Sequence, residues 1–155
     1  MKELSDALRQ AIDFAEPILR SISDDESLKP AIPGGWSRRE LLAHLIDSAA
    51  NNHVRFLTAL LNSELEMNRY NQDGNIKIQK PNTVAWPLLI DLFTSYNRYL
   101  AHVVAQIPPE KYDVPCRIIP YEPVTLEYLA NDYLTHLLHH LEQISIVRPR
   151  GISHS

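Results

Sequence analysis

The chain has 155 residues, 45% of them hydrophobic and 22% charged, with a formal net charge of −4, which predicts one domain with enough apolar content for a proper core. The weakly acidic balance, without a basic block, argues against nucleic acid or an anionic membrane surface as a partner. One cysteine, Cys116, excludes an internal disulfide and a cysteine-built zinc site; no run approaches the roughly 20 apolar residues of a membrane span, and the opening Met1-Lys-Glu-Leu-Ser-Asp6 lacks the apolar core of a signal peptide, so a reducing, cytoplasmic setting is expected.

Four segments carry helical periodicity. The first runs from about Leu4 to Ser21 on Leu4, Leu8, Ala11, Ile12, Ala15, Ile18 and Leu19; Pro17 inside it is expected to kink or shorten it. A polar stretch with Pro30, Pro33, Gly34 and Gly35 follows. The second helix has the clearest start signal: Ser37 and Glu40 form a capping box, and Trp36 before the cap is placed to pack on Leu41 as a hydrophobic staple. It continues to about Leu61. Residues 62–83 read as a long connection, rich in Asn and Gln, of the kind that is functional or mobile; Tyr70-Asn71-Gln72-Asp73 within it is placed to line a substrate mouth.

The third helix starts near Val84, with Pro87 tolerated in its first turn, and runs to about Gln106, where Pro108-Pro109 stops it. Residues 110–123 are broken by Pro115, Pro120 and Pro123. Thr125 caps a fourth helix expected to reach about Val147, followed by a frayed tail, 148–155. The predicted architecture is all-α: an antiparallel four-helix bundle, residues 1–147, whose two long connections speak against simple up-down-up-down order.

The chemistry concentrates in the fourth helix. His136 and His140 are four residues apart, hence one turn apart on one face, where two imidazoles can share a metal ion. A third ligand must come from elsewhere, and His44 in the second helix is the best candidate. Three histidines with an open position are the composition of a catalytic rather than a structural site. At about 100° per residue, His139 points away from the pair and reads as a surface or interface residue. The same wheel places Glu40, His44, Asp47, Asn51 and Arg55 in a stripe nearly opposite the leucine face. Taken alone, such a stripe is a solvated face, and any site that uses it belongs in a cleft near a bundle end. Asp47, three residues after His44, is placed to reach the free ring nitrogen of His44 or the water on the metal, with a solvated helix charge as the alternative. Gln143 is a second candidate for such support. Trp86 reads as core, and Cys116, between prolines with no histidine near in sequence, is no nucleophile candidate.

Together the order Trp36-Ser37-x-x-Glu40-x-x-x-His44-Leu45-x-Asp47, Asn51, Arg55 and late His136-x-x-His139-His140-x-x-Gln143-Ile144 resembles the DinB/YfiT-like family over Trp36 to Ile144. The resemblance implies a four-helix bundle in which His44, His136 and His140 bind a divalent metal, and dimers, as in several members. It also implies chemistry of the wider group, which includes thiol S-transfer with bacillithiol. The expected function is therefore a metal-dependent hydrolase or a thiol S-transferase acting on a small molecule, with a low-molecular-weight thiol as the second cofactor in the latter case. Asp47 or Glu40 would handle the proton in the former. A non-catalytic sensor or structural protein is the alternative. All-imidazole ligation suits zinc or nickel, then iron or copper.

Overall fold

The computed structural model describes residues 1–144; the expected last turn of the fourth helix and the tail lie outside the described residues. The elements are α1 (Lys2–Ser21), α2 (Asp24–Ser27), α3 (Arg38–Leu61), β1 (Leu65–Asn68), α4 (Gln72–Gln79), α5 (Trp86–Ala105), β2 (Pro115–Ile119), β3 (Val124–Thr125) and α6 (Leu126–Gln143). Short 3₁₀ turns occupy Pro81–Thr83 and Pro109–Lys111.

The start signals act as the sequence implies. Ser37 Oγ accepts from the Glu40 amide at 3.1 Å while Glu40 Oε2 accepts from the Ser37 amide at 2.7 Å, which closes the capping box of α3. Thr125 Oγ1 accepts from the Tyr128 amide and caps α6. Pro17 lies inside α1 without ending it.

The four long helices form a bundle in which α1 and α3 each pack on both α5 and α6. Side-chain contacts fix the directions. Ser5 meets Ala101 and Arg20 meets Asp91, so α1 and α5 are antiparallel. Arg39 near the start of α3 reaches the carbonyl of Val84, and His53 further along meets Tyr96, so α3 and α5 run the same way. His44 meets His136 and Phe56 meets Tyr133, so α6 runs back along α3. The parallel pair α3/α5 requires a connection that returns along the bundle, which is the reason residues 62–85 are so long.

That connection is more structured than its sequence promises. It holds β1 and α4, the latter capped by Asn71 Oδ1 accepting from the Gly74 amide. β1 pairs in parallel with β2 from the other long connection, Leu65 opposite Cys116 through Asn68 opposite Ile119, and β3 pairs antiparallel to β2. This small sheet is the one addition to the all-helical expectation. β1 follows the C-terminal end of α3 and β3 runs into the N-terminal end of α6, so the sheet sits at the end of the bundle away from His44 and His140.

One apolar cluster runs through the bundle, with Leu8, Ile12, Leu19, Leu42, Leu45, Phe56, Phe93 and Leu137 at 0–1% exposure. Each such side chain contributes about 1.5–3 kcal/mol by leaving water. Trp86 belongs to this core, its indole N–H donating to the Leu19 carbonyl at 3.1 Å. Cys116 is also buried, and burial pushes its thiol up to about 11, so it is not a thiolate near neutral pH. No helix among the described residues is long and apolar enough to cross a membrane.

Candidate metal centre and its cleft

His44 lies in the second turn of α3, and His136 and His140 lie one turn apart near the end of α6. Because α3 and α6 run in opposite directions, the three rings meet. Their Nε2 atoms converge: 3.1 Å from His44 to His136 and 3.1 Å from His136 to His140. One ring nitrogen from each of the three histidines lies within 4.8 Å of the other two.

Protons alone do not satisfy this cluster. His140 Nδ1 donates to Gln143 Oε1 at 2.7 Å, which leaves the Nε2 of a neutral His140 bare. His136 Nε2 presents either one proton or one lone pair to two neighbours, so it makes one well-aligned hydrogen bond and leaves the other 3.1 Å contact unsatisfied. Full protonation is also disfavoured. Burial, then the neighbouring His140 and His136, lowers His44 to about 3; burial, then His140 and His139, lowers His136 to about 4. His140 is lowered as well, mainly by burial. Nitrogens at about 2.0–2.1 Å from a tetrahedral zinc stand about 3.3–3.4 Å apart. The two 3.1 Å separations are within a few tenths of an ångström of that spacing and all three nitrogens lie within 4.8 Å, so the donor set fits one divalent ion with an open position. Among the His, Cys, Asp and Glu side chains of the described residues, no fourth joins it.

The surroundings differ for each ring. Gln143 holds His140. Ser48 Oγ lies 3.3 Å from His136 Nδ1. The Trp36 ring lies tilted on His44, centroids 5.2 Å apart. His44 Nδ1 is buried without a hydrogen-bond partner. Asp47 does not take it: its carboxylate accepts both Nε2–H contacts of Gln79, at 3.0 and 2.8 Å, which draws it toward α4. Burial raises the Asp47 carboxyl above its usual range, against the lowering effect of the hydrogen bonds from Gln79 and Asn75. His139 is exposed, apart from the ligating atoms, with Gln143 Nε2 at 3.3 Å from its ring nitrogen.

From His136 a cleft of about 750 Å³ runs between α3 and α6 toward the sheet. Ser48, Asn52 and Arg55 of α3 form one wall, 2%, 6% and 9% exposed. Of the polar stripe, His44 and Arg55 are buried and Glu40, Asp47 and Asn51 half-buried, so this face is not solvated as the wheel alone implied; the two connections cover it. Tyr70, Asn71, Gln72 and Asp73 line the cleft from one connection and Ile118 and Tyr121 from the other. Tyr133, on its floor, donates to Asn97 Oδ1. Ser48 and Asn52 were not singled out from sequence, although their spacing of four and eight from His44 puts them on its line of the helix.

The DinB superfamily profile matches residues 7–144. The chain belongs to the DinB superfamily. A Bacillus pumilus (strain SAFR-032) protein named "Putative metal-dependent hydrolase" is 25% identical over 143 residues, covering 90% of this chain and 80% of the relative. The structure of YfiT from Bacillus subtilis, described as "a probable metal-dependent hydrolase with an unusual four-helix bundle topology", superposes with a TM-score of 0.84 at 19% identity, over 92% of this chain and 82% of that one. The mycothiol-dependent maleylpyruvate isomerase superposes with a TM-score of 0.75 at 15% identity, over 91% of this chain and 59% of the isomerase chain. At these identities the two structures speak to fold. The DinB bundle expected from the Trp36–Ile144 motifs is therefore present in this chain.

Proposed function

We propose that this DinB protein is a divalent-metal-dependent hydrolase acting on a small molecule, with His44, His136 and His140 as the ligands. The observation that carries the reading is the convergence of three histidine Nε2 atoms at the end of a cleft large enough for a small-molecule substrate. The relative named as a metal-dependent hydrolase supports the same reaction class. A divalent ion held by His44, His136 and His140 would supply Lewis acidity, lowering the pKa of a water or thiol.

The chain's own groups have separable tasks. Gln143 fixes the His140 tautomer so that Nε2 faces the cluster. Ser48 orients His136 in the same manner. Trp36 covers His44 and keeps water off that side. Asp47, a half-buried carboxylate on the turn after His44, is the proposed proton acceptor. Thiol transfer is a second reading. It is favoured by a cleft of about 750 Å³, roomy enough for a thiol cofactor beside an electrophile, and by the shared fold of the mycothiol-dependent isomerase. The open position argues against a purely structural ion. The exposed Val54, Leu57 and Leu61 of α3 and Leu88 and Leu92 of α5 support a homodimer built on helix faces.

The test is metal analysis of untagged protein, followed by assays of ester and amide hydrolysis, and of thiols with electrophiles, before and after chelation. Stoichiometric metal with hydrolysis that chelation abolishes and metal restores is expected. Protein without metal, or with hydrolysis indifferent to chelation, would sink the reading; turnover seen only with an added thiol would favour the second.

A further inference from the structure

Arg55 is the buried charge in the cleft lining that the proposed chemistry leaves unused. It lies 11 residues after His44 on the same line of α3, about three turns along. In a helix its Cα–Cβ bond tilts toward the N-terminus, the direction in which His44 lies. It is 9% exposed and lines the cleft. Its guanidinium carbon lies 5.9 Å from the centre of the Tyr70 ring, a cation–π approach. Among the described residues it makes neither an ion pair nor a hydrogen bond. The contrast with Arg39 is informative. That arginine is equally buried, yet it is fully occupied by Asp24, Ser27 and the carbonyl of Val84.

A guanidinium cannot shed its proton to escape burial, and burial does lower the affinity of Arg55 for its proton. It therefore stays charged where it lines the cleft, and no acceptor among the described residues takes its donors. The two carboxylates at the cleft rim, Asp73 and Asp132, are exposed and do not pair with it. We infer that Arg55 is the anchor for a carboxylate on the small molecule that occupies this cleft, with the reacting end of that molecule directed toward the histidines. One planar guanidinium matches one planar carboxylate through two parallel N–H···O bonds. The charged lining holds Arg55 and Arg69 against Asp73 and Asp132, a balance of two and two. That balance favours a monoanion over a phosphate dianion. The half-buried Tyr70 and Ile118 in the lining offer apolar surface to the body of that molecule.

This inference rests on the proposed reading of the cleft as the substrate chamber of the histidine centre, and its test separates the two. Sodium benzoate is titrated into ¹⁵N-labelled protein, zinc-loaded and, separately, stripped by chelator. The backbone amide resonances of the cleft residues Tyr70 and Asp73 are followed in every variant, and the Arg55 Nε–H resonance in wild type, with benzamide and inorganic phosphate as comparison probes at matched ionic strength. Benzoate is expected to saturate in both forms, at least about tenfold tighter than benzamide or phosphate, because only it presents the paired acceptors. Arg55→Gln should lose the difference and Arg55→Lys recover part of it. Arg55→Met should melt no lower than wild type, since it removes an unpaired buried charge; a structural arginine would melt lower. Benzoate bound equally by Arg55→Gln, benzamide bound as well as benzoate, phosphate bound more tightly, or an Arg55→Met protein of lowered Tm would each overturn the assignment. Benzoate binding through Arg55 in a protein that takes up no metal would refute the metal reading alone.

Discussion

Loading the histidine cluster should stabilise the protein by an amount that linkage fixes. The three Nε2 atoms already stand 3.1 Å apart in two of their contacts, close to the spacing an ion demands, so little of the binding energy is spent on rearranging helices. An ion that binds the folded chain alone, at 100 times its Kd, adds about 2.7 kcal/mol. At roughly 2–4 °C per kcal/mol for a chain of this size, Tm rises by about 5–11 °C. His136 stands between the other two rings, so His136→Ala removes both close contacts and leaves two donors on different helices. The assay is differential scanning calorimetry of chelated wild type and His136→Ala at pH 7.5, each with and without excess zinc or nickel. Wild type should show the rise, and His136→Ala should show almost none. A Tm that no divalent ion moves, or a rise that survives in His136→Ala, would refute the argument from converging nitrogens.

Three further outcomes are expected. Gln143→Leu deletes the acceptor of His140 Nδ1 and should weaken metal affinity by about 10–100-fold, measured by competition with a chromophoric chelator, while the fold is retained. Asp47→Asn should leave metal binding near wild type, because Asp47 bonds Gln79 and not a ligating ring, yet abolish most turnover; wild-type turnover would leave Asp47 as a helix charge paired with α4. Third, His44 and His136 are lowered to about 3 and about 4, so below the ordinary imidazole pKa the unfolded chain takes up protons that the folded chain refuses. The metal-free protein should therefore have this contribution in full above about pH 6.5 and lose it as pH falls toward 4, at about 1.4 kcal/mol per pH unit for each proton refused; urea titrations showing flat stability over that window would contradict it.

Local signals legible in the sequence were those written in a few neighbouring residues. The capping box at Ser37 and Glu40, the Thr125 cap and the leucine periodicity placed the starts of the four long helices and the ends of the first three to within about two residues. The spacing of His136 and His140 and the position of His44 named the residues that the fold brings together. What escaped was set by distant partners. β1 is four residues whose only reason to be a strand is β2, some fifty residues later, and α4 carries Gly74 where a helix former would be expected. The polar stripe of α3 read as solvated because nothing local announces that two connections will cover it. Asp47 was placed correctly on the helix, but Gln79, which draws its carboxylate away from His44, belongs to the segment that had been read as loop.

The pairing of β1 with β2 makes the two roofs of the cleft a single mechanical unit. Tyr70 follows two residues after one strand, and Ile118 sits within the other. In a ladder with a two-residue repeat, slipping one strand by a single position turns every side chain to the opposite face. A one-residue insertion near Asn68 would therefore act on both walls at once, carrying Tyr70 along the chamber and setting Met67 against a different partner than Ile118. Specificity in such a protein is inherited by pairs of loops. An engineer, or a lineage, that wishes to admit a new molecule must alter both connections together, or keep the strand register and change only the side chains that hang from it.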